Sequence, residues 1–256
     1  MNNRFKAAGK AALVHLGISL IIASSIAIFS LMFWFPSPYL RISGGLHLFL
    51  ILITVDILCG PLITAIVFNP KKNKKELCSD FGVIFIIQII ALAYGLYVLS
   101  AARPVAVVFE SDRFVSVSAA QIDKDLLPLT LEKYRSLPWS GPILLSTRSP
   151  KDGNEFIKSI ELSMRGIEPS ARPDWWKEYD SDRASVMSKM KRLDDLYSRS
   201  PEESKNIIRK SLKSLGVEIK DATYLPLVSS RELNGAIVIL DKKANVIGFS
   251  EVNGFL

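Results

Sequence analysis

Residues 46–68, LHLFLILITVDILCGPLITAIVF, and the exit that follows at 69–75, NPKKNKK, decide the class of this fold. The stretch is 23 residues long and carries one charge, Asp56, near its middle. At 1.5 Å per residue such a helix extends about 34 Å, enough to cross a hydrocarbon core about 30 Å thick. A carboxylate at that depth costs about 2.5–3.5 kcal/mol on insertion scales, so it faces other helices or water rather than lipid. Asp56, Gly60 and Thr64 recur every fourth residue and share one helical face, small and polar, of the type that lets another helix come close. Pro61 removes a backbone donor, which predicts a kink beside Gly60. The four lysines of the exit mark its cytoplasmic end.

Working outward, two more apolar runs flank this one. The first spans about 11–35 and follows Arg4, Lys6 and Lys10. It is too long for the apolar region of a signal peptide, and no small-x-small cleavage site follows, so an uncleaved helix is expected. Trp34, Phe35 and Tyr39 then read as an aromatic belt at the far interface. The third run covers about 81–99, with Ser79 or Asp80 placed to cap it. Lys and Arg number three before the first span, one in the first loop and four in the second loop. That alternation predicts an N-terminus in the cytoplasm and a C-terminal domain outside it, in a bacterium the periplasm. Residues 1–102 are thus a transmembrane domain with spans at about 11–35, 46–68 and 81–99, and residues 103–256 a periplasmic α+β domain.

Composition agrees with this division. The chain has 256 residues, 49% of them hydrophobic, and a mean hydropathy of +0.25. Of the formal net charge of +7, residues 1–100 hold +5 and residues 101–256 hold +2. The basic balance therefore comes from membrane-flanking residues, which argues against nucleic acid as a partner. Cys59 lies inside the second span and Cys78 on its lysine side, where no extracytoplasmic disulfide is expected.

The polar points of the spans should face inward. Gln88, Ala91 and Gly95 share a face of the third span that can pack on Asp56, Gly60 and Thr64, with Gln88 donating to the Asp56 carboxylate. His15 and Ser19 lie one turn apart near the inner end of the first span. These residues read as helix–helix glue, as an intramembrane docking face for a partner helix, or as an ion path; one central acid without a relay chain speaks against the last.

Beyond Arg103-Pro104, residues 105–109 and 114–117 are rich in β-branched and aromatic side chains, separated by Glu110-Ser111-Asp112-Arg113, which predicts a hairpin. Residues 121–137 look mixed and partly helical, 143–146 a short strand and 154–164 a helix, with Phe156, Ile157, Ile160 and Met164 on one stripe. After Pro173, residues Trp176, Tyr179, Val186, Met190, Leu193 and Tyr197 recur with a period near 3.5, predicting one long helix. Ser200-Pro201-Glu202-Glu203 predicts a restart with Ser200 as N-cap and Glu203 closing a capping box, and Gly216 stops that helix. The two helices read as an antiparallel hairpin. Strands are expected at 223–228, 236–240 and 246–250, with a turn at 241–245.

The chemistry available is narrow. The two histidines, His15 and His47, belong to spans, and residues 101–256 contain neither His nor Cys. That removes Ser-His-Asp, Cys-His and His-ligated metal chemistry from the domain. No glycine-rich phosphate loop occurs. Asp174, Glu178, Asp180 and Asp182, interleaved with basic residues, read as a solvated helix start rather than an acid–base pair. Trp175-Trp176 stands out, since adjacent helical positions point about 100° apart. One can enter the core while the other stays near the surface, for a protein contact or a membrane-interface anchor. No catalytic residue, cofactor or metal is expected; the candidate partner-binding residues are Asp56, Gly60, Thr64, Gln88, Gly95, Trp175 and Trp176.

Several pieces, in order and at matching spacing, resemble the type IV pilin accessory proteins (the TfpX/TfpZ group). They are His15 to Ser19, Trp34 with Pro38-Tyr39, Gly44-Gly45, Val55-Asp56, Gly60-Pro61-Leu62 and Thr64. They continue as Gln88, Ala91-Leu92-Ala93-Tyr94-Gly95, Arg103-Pro104 and Asp112-Arg113-Phe114. Beyond about residue 130 the likeness is loose, and Lys177-Glu178-Tyr179-Asp180 departs from the family pattern. The resemblance implies a non-enzymatic inner-membrane protein, chaperone-like, that binds a type IV pilin through its helix and head and affects pilus assembly or retraction. A membrane-anchored extracytoplasmic sensor is a rival reading, weakened by cytosolic segments of about ten residues. A membrane enzyme using Asp56 or Asp112 is another.

Overall fold

The computed structural model describes residues 2–256, with side chains from Arg4 onward. Two compact units emerge: residues 1–32 with 45–101, and residues 33–44 with 102–256. Three helices are long and apolar enough to cross a membrane: Arg4–Trp34, Gly45–Val67 and Lys74–Ala102. They precede an α+β domain, so the fold class expected from the sequence is the one observed.

In the first unit, α1 (Asn2–Phe29) packs along the second span. A short helix, α2 (Tyr39–Ile42), separates them in the chain, and the second span begins as α3 (Gly45–Thr54). It passes through a π-helical turn, Val55–Cys59, and resumes as α4 (Gly60–Val67). The π turn is the form that the expected kink takes. Pro61 cannot donate to residue 57 and its ring crowds that carbonyl, so widening the preceding turn relieves both. The third span, α5 (Lys74–Ala102), starts earlier than residues 79–80. Asn73 caps it, accepting from the Glu76 amide at 2.8 Å, while Asp80 pairs with Lys72 at 2.6 Å.

The second unit is built on an eight-stranded sheet. Its strands are β1 (Pro104–Glu110), β2 (Arg113–Ser118), β3 (Ile143–Thr147), β4 (Trp176–Glu178), β5 (Lys191–Arg192), β6 (Thr223–Val228), β7 (Ala236–Leu240) and β8 (Val246–Ser250). The order is β4-β3-β1-β2-β6-β7-β8, with β5 also on β6. The predicted hairpin forms with Phe109 opposite Phe114, and β2 then pairs parallel to β6, joining the two ends of the domain sequence. Strand β1 buries residues from Pro104 to Phe109 and β7 buries all of its residues, as strands covered on both faces do. Helix α6 (Gly153–Met164) forms where expected, with Asp152 accepting from the Glu155 amide at 2.8 Å.

The long helix expected after Pro173 does not form. Its place is taken by β4, a 3-10 turn at Tyr179–Asp182, α7 (Arg183–Lys189), β5 and α8 (Leu193–Arg199). The apolar period still reports burial, because Trp176, Tyr179, Val186 and Leu193 are all buried. What it misses is that the chain finds partners outside itself: Thr147 pairs with Trp176 on β3, and Tyr224 with Lys191 on β6. Each short strand satisfies backbone groups that a continuous helix would have satisfied internally. The capping box is absent too. Ser200 Oγ donates back to the Leu196 carbonyl at 2.8 Å, and α9 (Glu202–Leu215) starts after Pro201 without a side-chain cap. Gly216 does stop α9, at φ 66°.

The segment Phe33–Gly44 belongs to the domain rather than to the spans that it joins in sequence. Trp34, Phe35 and Tyr39 are buried rather than exposed as the expected aromatic belt would be, and Tyr39 joins the core of the domain. Tyr39 and Ile42 pack among Val107, Phe114, Leu227 and Val238 from four strands. Ser229 Oγ donates to the Ile42 carbonyl at 2.6 Å, and Tyr39 meets Phe249 edge-on at 5.5 Å. Replacing Ile42 by Ala should cost about 2–5 kcal/mol, through lost transfer energy and the cavity left behind. Arg41→Ala, which breaks an exposed pair with Glu251, should stay within about 1 kcal/mol of the parent. Denaturant titration of the full chain in detergent, followed by near-UV circular dichroism, reads both.

Candidate partner-binding site

The sequence-predicted intramembrane residues fall in one neighbourhood of the first unit, though not in the pairing expected. Thr64 is buried on the side facing α1, and its hydroxyl meets His15 Nδ1 at 2.6 Å. Gly60 is also buried. A Cβ at this position would collide with the Gln88 amide and come within 3.0 Å of His15 Nε2, so the missing side chain lets the first and third helices approach the same turn. Gly95 plays the same part higher on α5, against Leu52. The Gln88 amide therefore stands on Gly60, and the bond expected between Gln88 and Asp56 is not made. Among the described residues Asp56 has no hydrogen-bond partner.

Asp56 sits in the π turn, with two grooves on either side. One, of about 670 Å³, runs between α1 and α5 and is walled by Val14, His15, Ile18, Ser19, Phe85 and Leu92. The other, of about 450 Å³, lies between the second span and α5, walled by Leu52, Cys59, Ile63, Ile87 and Gly95. Asp56 and Gln88 border both. Both grooves are lined mainly by apolar side chains, with Lys10, His15, Ser19 and Gln88 joining Asp56 as polar points in the larger and Gln88 joining it in the smaller. The sequence singled out Asp56, Gly60, Thr64, Gln88 and Gly95, and of His15 it offered only the one-turn spacing to Ser19. A one-turn spacing within α1 was visible, whereas a partner 49 positions away was not.

Trp175 and Trp176 are both buried, 3% and 5% exposed, so neither stays at the surface as expected for one of them. Trp176 Nε1 donates to the Ser170 carbonyl at 2.8 Å. Trp175 lies between two guanidinium groups, Arg148 at 4.7 Å and Arg172 at 4.6 Å from its ring. Arg148 in turn holds Glu155 through two bonds of 2.7 and 2.8 Å, tying α6 to the tryptophan. Its side chain also borders a cleft of about 640 Å³ shared with Phe156, Ile160, Lys177 and Asp182. Burial alone would raise the Asp182 carboxyl, but Lys177, Ser146 and Ser185 outweigh it and hold the group below its usual range. At Glu110 burial prevails, and its carboxyl is pushed up despite the Ser170 amide 2.8 Å away. The arginines that flank Trp175 were not legible, since no spacing rule links positions 148, 172 and 175.

Three helices long and apolar enough to cross a membrane, followed by an α+β domain, define the class: a membrane-associated protein. The fimbrial assembly protein FimB family matches residues 3–44. The fimbrial assembly protein of serogroup E1 from Dichelobacter nodosus is 34% identical over 252 residues, 98% of either chain. That of serogroup I from the same organism has the same identity and coverage. The protein of serogroups C1 and C2 is 42% identical over 125 residues, 49% of this chain and 95% of its own length. No solved structure matches. The chain belongs to the family of fimbrial assembly proteins.

Two outcomes follow from this geometry. Thr64→Val removes the bond to His15 at nearly constant volume and should cost about 0.6–1.7 kcal/mol, the range for such bonds between membrane helices; unfolding by steric trapping in bicelles measures it. Glu155 is lowered from the ordinary 4.5 to about 2, first by Arg148 and then by the Lys151 amide. A depressed carboxyl stabilises the fold above its unfolded value and loses that contribution as pH falls toward the folded one. Protection of the amides at the start of α6, measured relative to their intrinsic exchange rates at each pH, should therefore fall between about pH 4.5 and pH 2. Glu155→Gln should exchange faster at neutral pH and lack that step.

Proposed function

We propose that this protein serves type IV pilus biogenesis from the inner membrane, holding a pilin subunit before it enters or after it leaves the fibre. The N-terminus lies in the cytoplasm and residues 103–256 in the periplasm, as the lysine and arginine distribution favours. The role is non-catalytic: binding and release of a partner. A pilin brings one apolar helix and a globular head, and a protein able to engage both needs a membrane groove and a domain on the same chain.

The observation that carries this reading is the position of Asp56. A carboxylate in mid-span is costly, and here it stands on a groove wall without a hydrogen-bond partner among the described residues. The positively charged amino terminus of a mature pilin is the complementary group, and its apolar helix fits the remaining lining. Family membership supports the pilus context. Gly60, Thr64, Gln88 and Gly95 then act by shaping the groove. Trp175 and Trp176 act by holding the domain face together.

The test is direct. Asp56→Asn and Asp56→Ala should each reduce co-purification of the pilin and surface piliation, with the membrane level of the protein unchanged. If both variants leave the two readouts at parental values, the role assigned to Asp56 is wrong. Photo-crosslinkers at Ile18 and Phe85, on opposite walls of the groove, should capture the pilin helix. An alkaline phosphatase fused after residue 256 should be active; an inactive fusion would place the domain on the other side.

A further inference from the structure

We propose that Trp139 is a lipid-interface anchor of the α+β domain, and that what it binds is the headgroup and upper acyl region of a phospholipid bilayer. This rests on the reading of the apolar helices as membrane spans and is independent of the pilin.

Trp139 is 63% exposed, whereas the other three tryptophans, Trp34, Trp175 and Trp176, are buried. A large indole left in water forgoes much of the stabilisation that its burial offers, and a tryptophan with one wet and one oily side is the residue most enriched at bilayer interfaces. Its neighbours fix its height. Trp34, the last residue of the first apolar helix, meets the Trp139 ring edge-on at 5.7 Å. The Gly141 amide donates to the Phe33 carbonyl at 3.0 Å. Arg103, the residue after the third apolar helix, lies 5.7 Å from the same ring and donates to the Pro138 carbonyl at 3.4 Å. The short loop at 138–141 is thus held by the residues at which two spans end, and spans end where hydrocarbon gives way to headgroups.

The chemistry of the surroundings suits that depth. Phe33 and, in the same stretch of chain as Trp139, Leu129 and Leu131 are exposed apolar side chains. The segment is also anchored inward, since Tyr134 and Leu137 pack against the domain core. An indole seated in lipid would therefore hold the whole domain. The aromatic belt that the sequence placed on Trp34, Phe35 and Tyr39 is supplied instead by a tryptophan more than a hundred positions further along the chain.

The test uses the full chain. Cys59 and Cys78, both free, are replaced by Ser, and Trp139→Cys carries an environment-sensitive NBD dye. The protein is reconstituted into vesicles of phosphatidylethanolamine and phosphatidylglycerol, with or without lipids bearing a nitroxide high on the acyl chain. The proposal expects blue-shifted emission, quenching by the lipid nitroxide several-fold stronger than for the dye at Lys210→Cys, and weak quenching by aqueous iodide. Emission and iodide quenching equal to those at Lys210→Cys would overturn it. A blue shift without lipid quenching would also overturn it, pointing to cover by protein. Because the dye removes the indole, a second measurement keeps it: brominated lipids should quench the intrinsic fluorescence of the parent several-fold more than that of Trp139→Phe, and equal quenching would refute the anchor.

Discussion

The hydrogen bond from Ser229 to the Ile42 carbonyl is the constraint on which the domain depends. It joins positions 187 residues apart and buries the backbone of a segment lying, in sequence, between the first and second membrane spans. A buried carbonyl must be paired, and here the pair is made by a side chain beyond the end of β6. Around it Tyr39 and Ile42 fill the space between β1, β2, β6 and β7. The sheet is therefore not a self-sufficient module hung on an anchor. Its core is completed only when the residues after the first span are in place.

The membrane unit is governed by the opposite economy, close approach without side chains. Gly60 and Gly95 admit neighbouring helices where a Cβ would collide, and Thr64 adds a bond to His15. In lipid there is little hydrophobic gain from bringing helices together, so such contacts carry the association. Pro61 forces the preceding turn wide, and Asp56 rides on that widened turn. The backbone irregularity and the costly charge thus coincide in one turn of the second span.

Much of this was legible because it depends on local chemistry. Hydropathy set the three spans, Gly216 sat where a helix end needs it, and the Phe109–Phe114 hairpin followed from β-branched and aromatic residues around a polar turn. The failures share a cause. From Trp176 to Tyr197 the 3.5-residue period marked the right buried residues, yet β3 and β6 offered backbone partners that broke the helix. Ser200 lost its capping role to the Leu196 carbonyl. In the spans the expected bond from Gln88 to Asp56 gave way to Gln88 standing on Gly60, and His15 bonds Thr64, a partner 49 positions away.

The tryptophans show why such partners escape a one-dimensional reading. All four carry the same indole, and the sequence offers only their distance from a span or from each other as a guide. Trp175 is fixed by Arg148 and Arg172, and Trp176 by the Ser170 carbonyl. Trp34 stands at the end of an apolar helix and should by proximity face lipid, yet it is buried, with its ring edge-on to Trp139. Whether a tryptophan packs, braces or wades is thus set by which polar and apolar groups the folded chain brings to its two ends, and in this protein most of those groups come from segments that no periodicity connects.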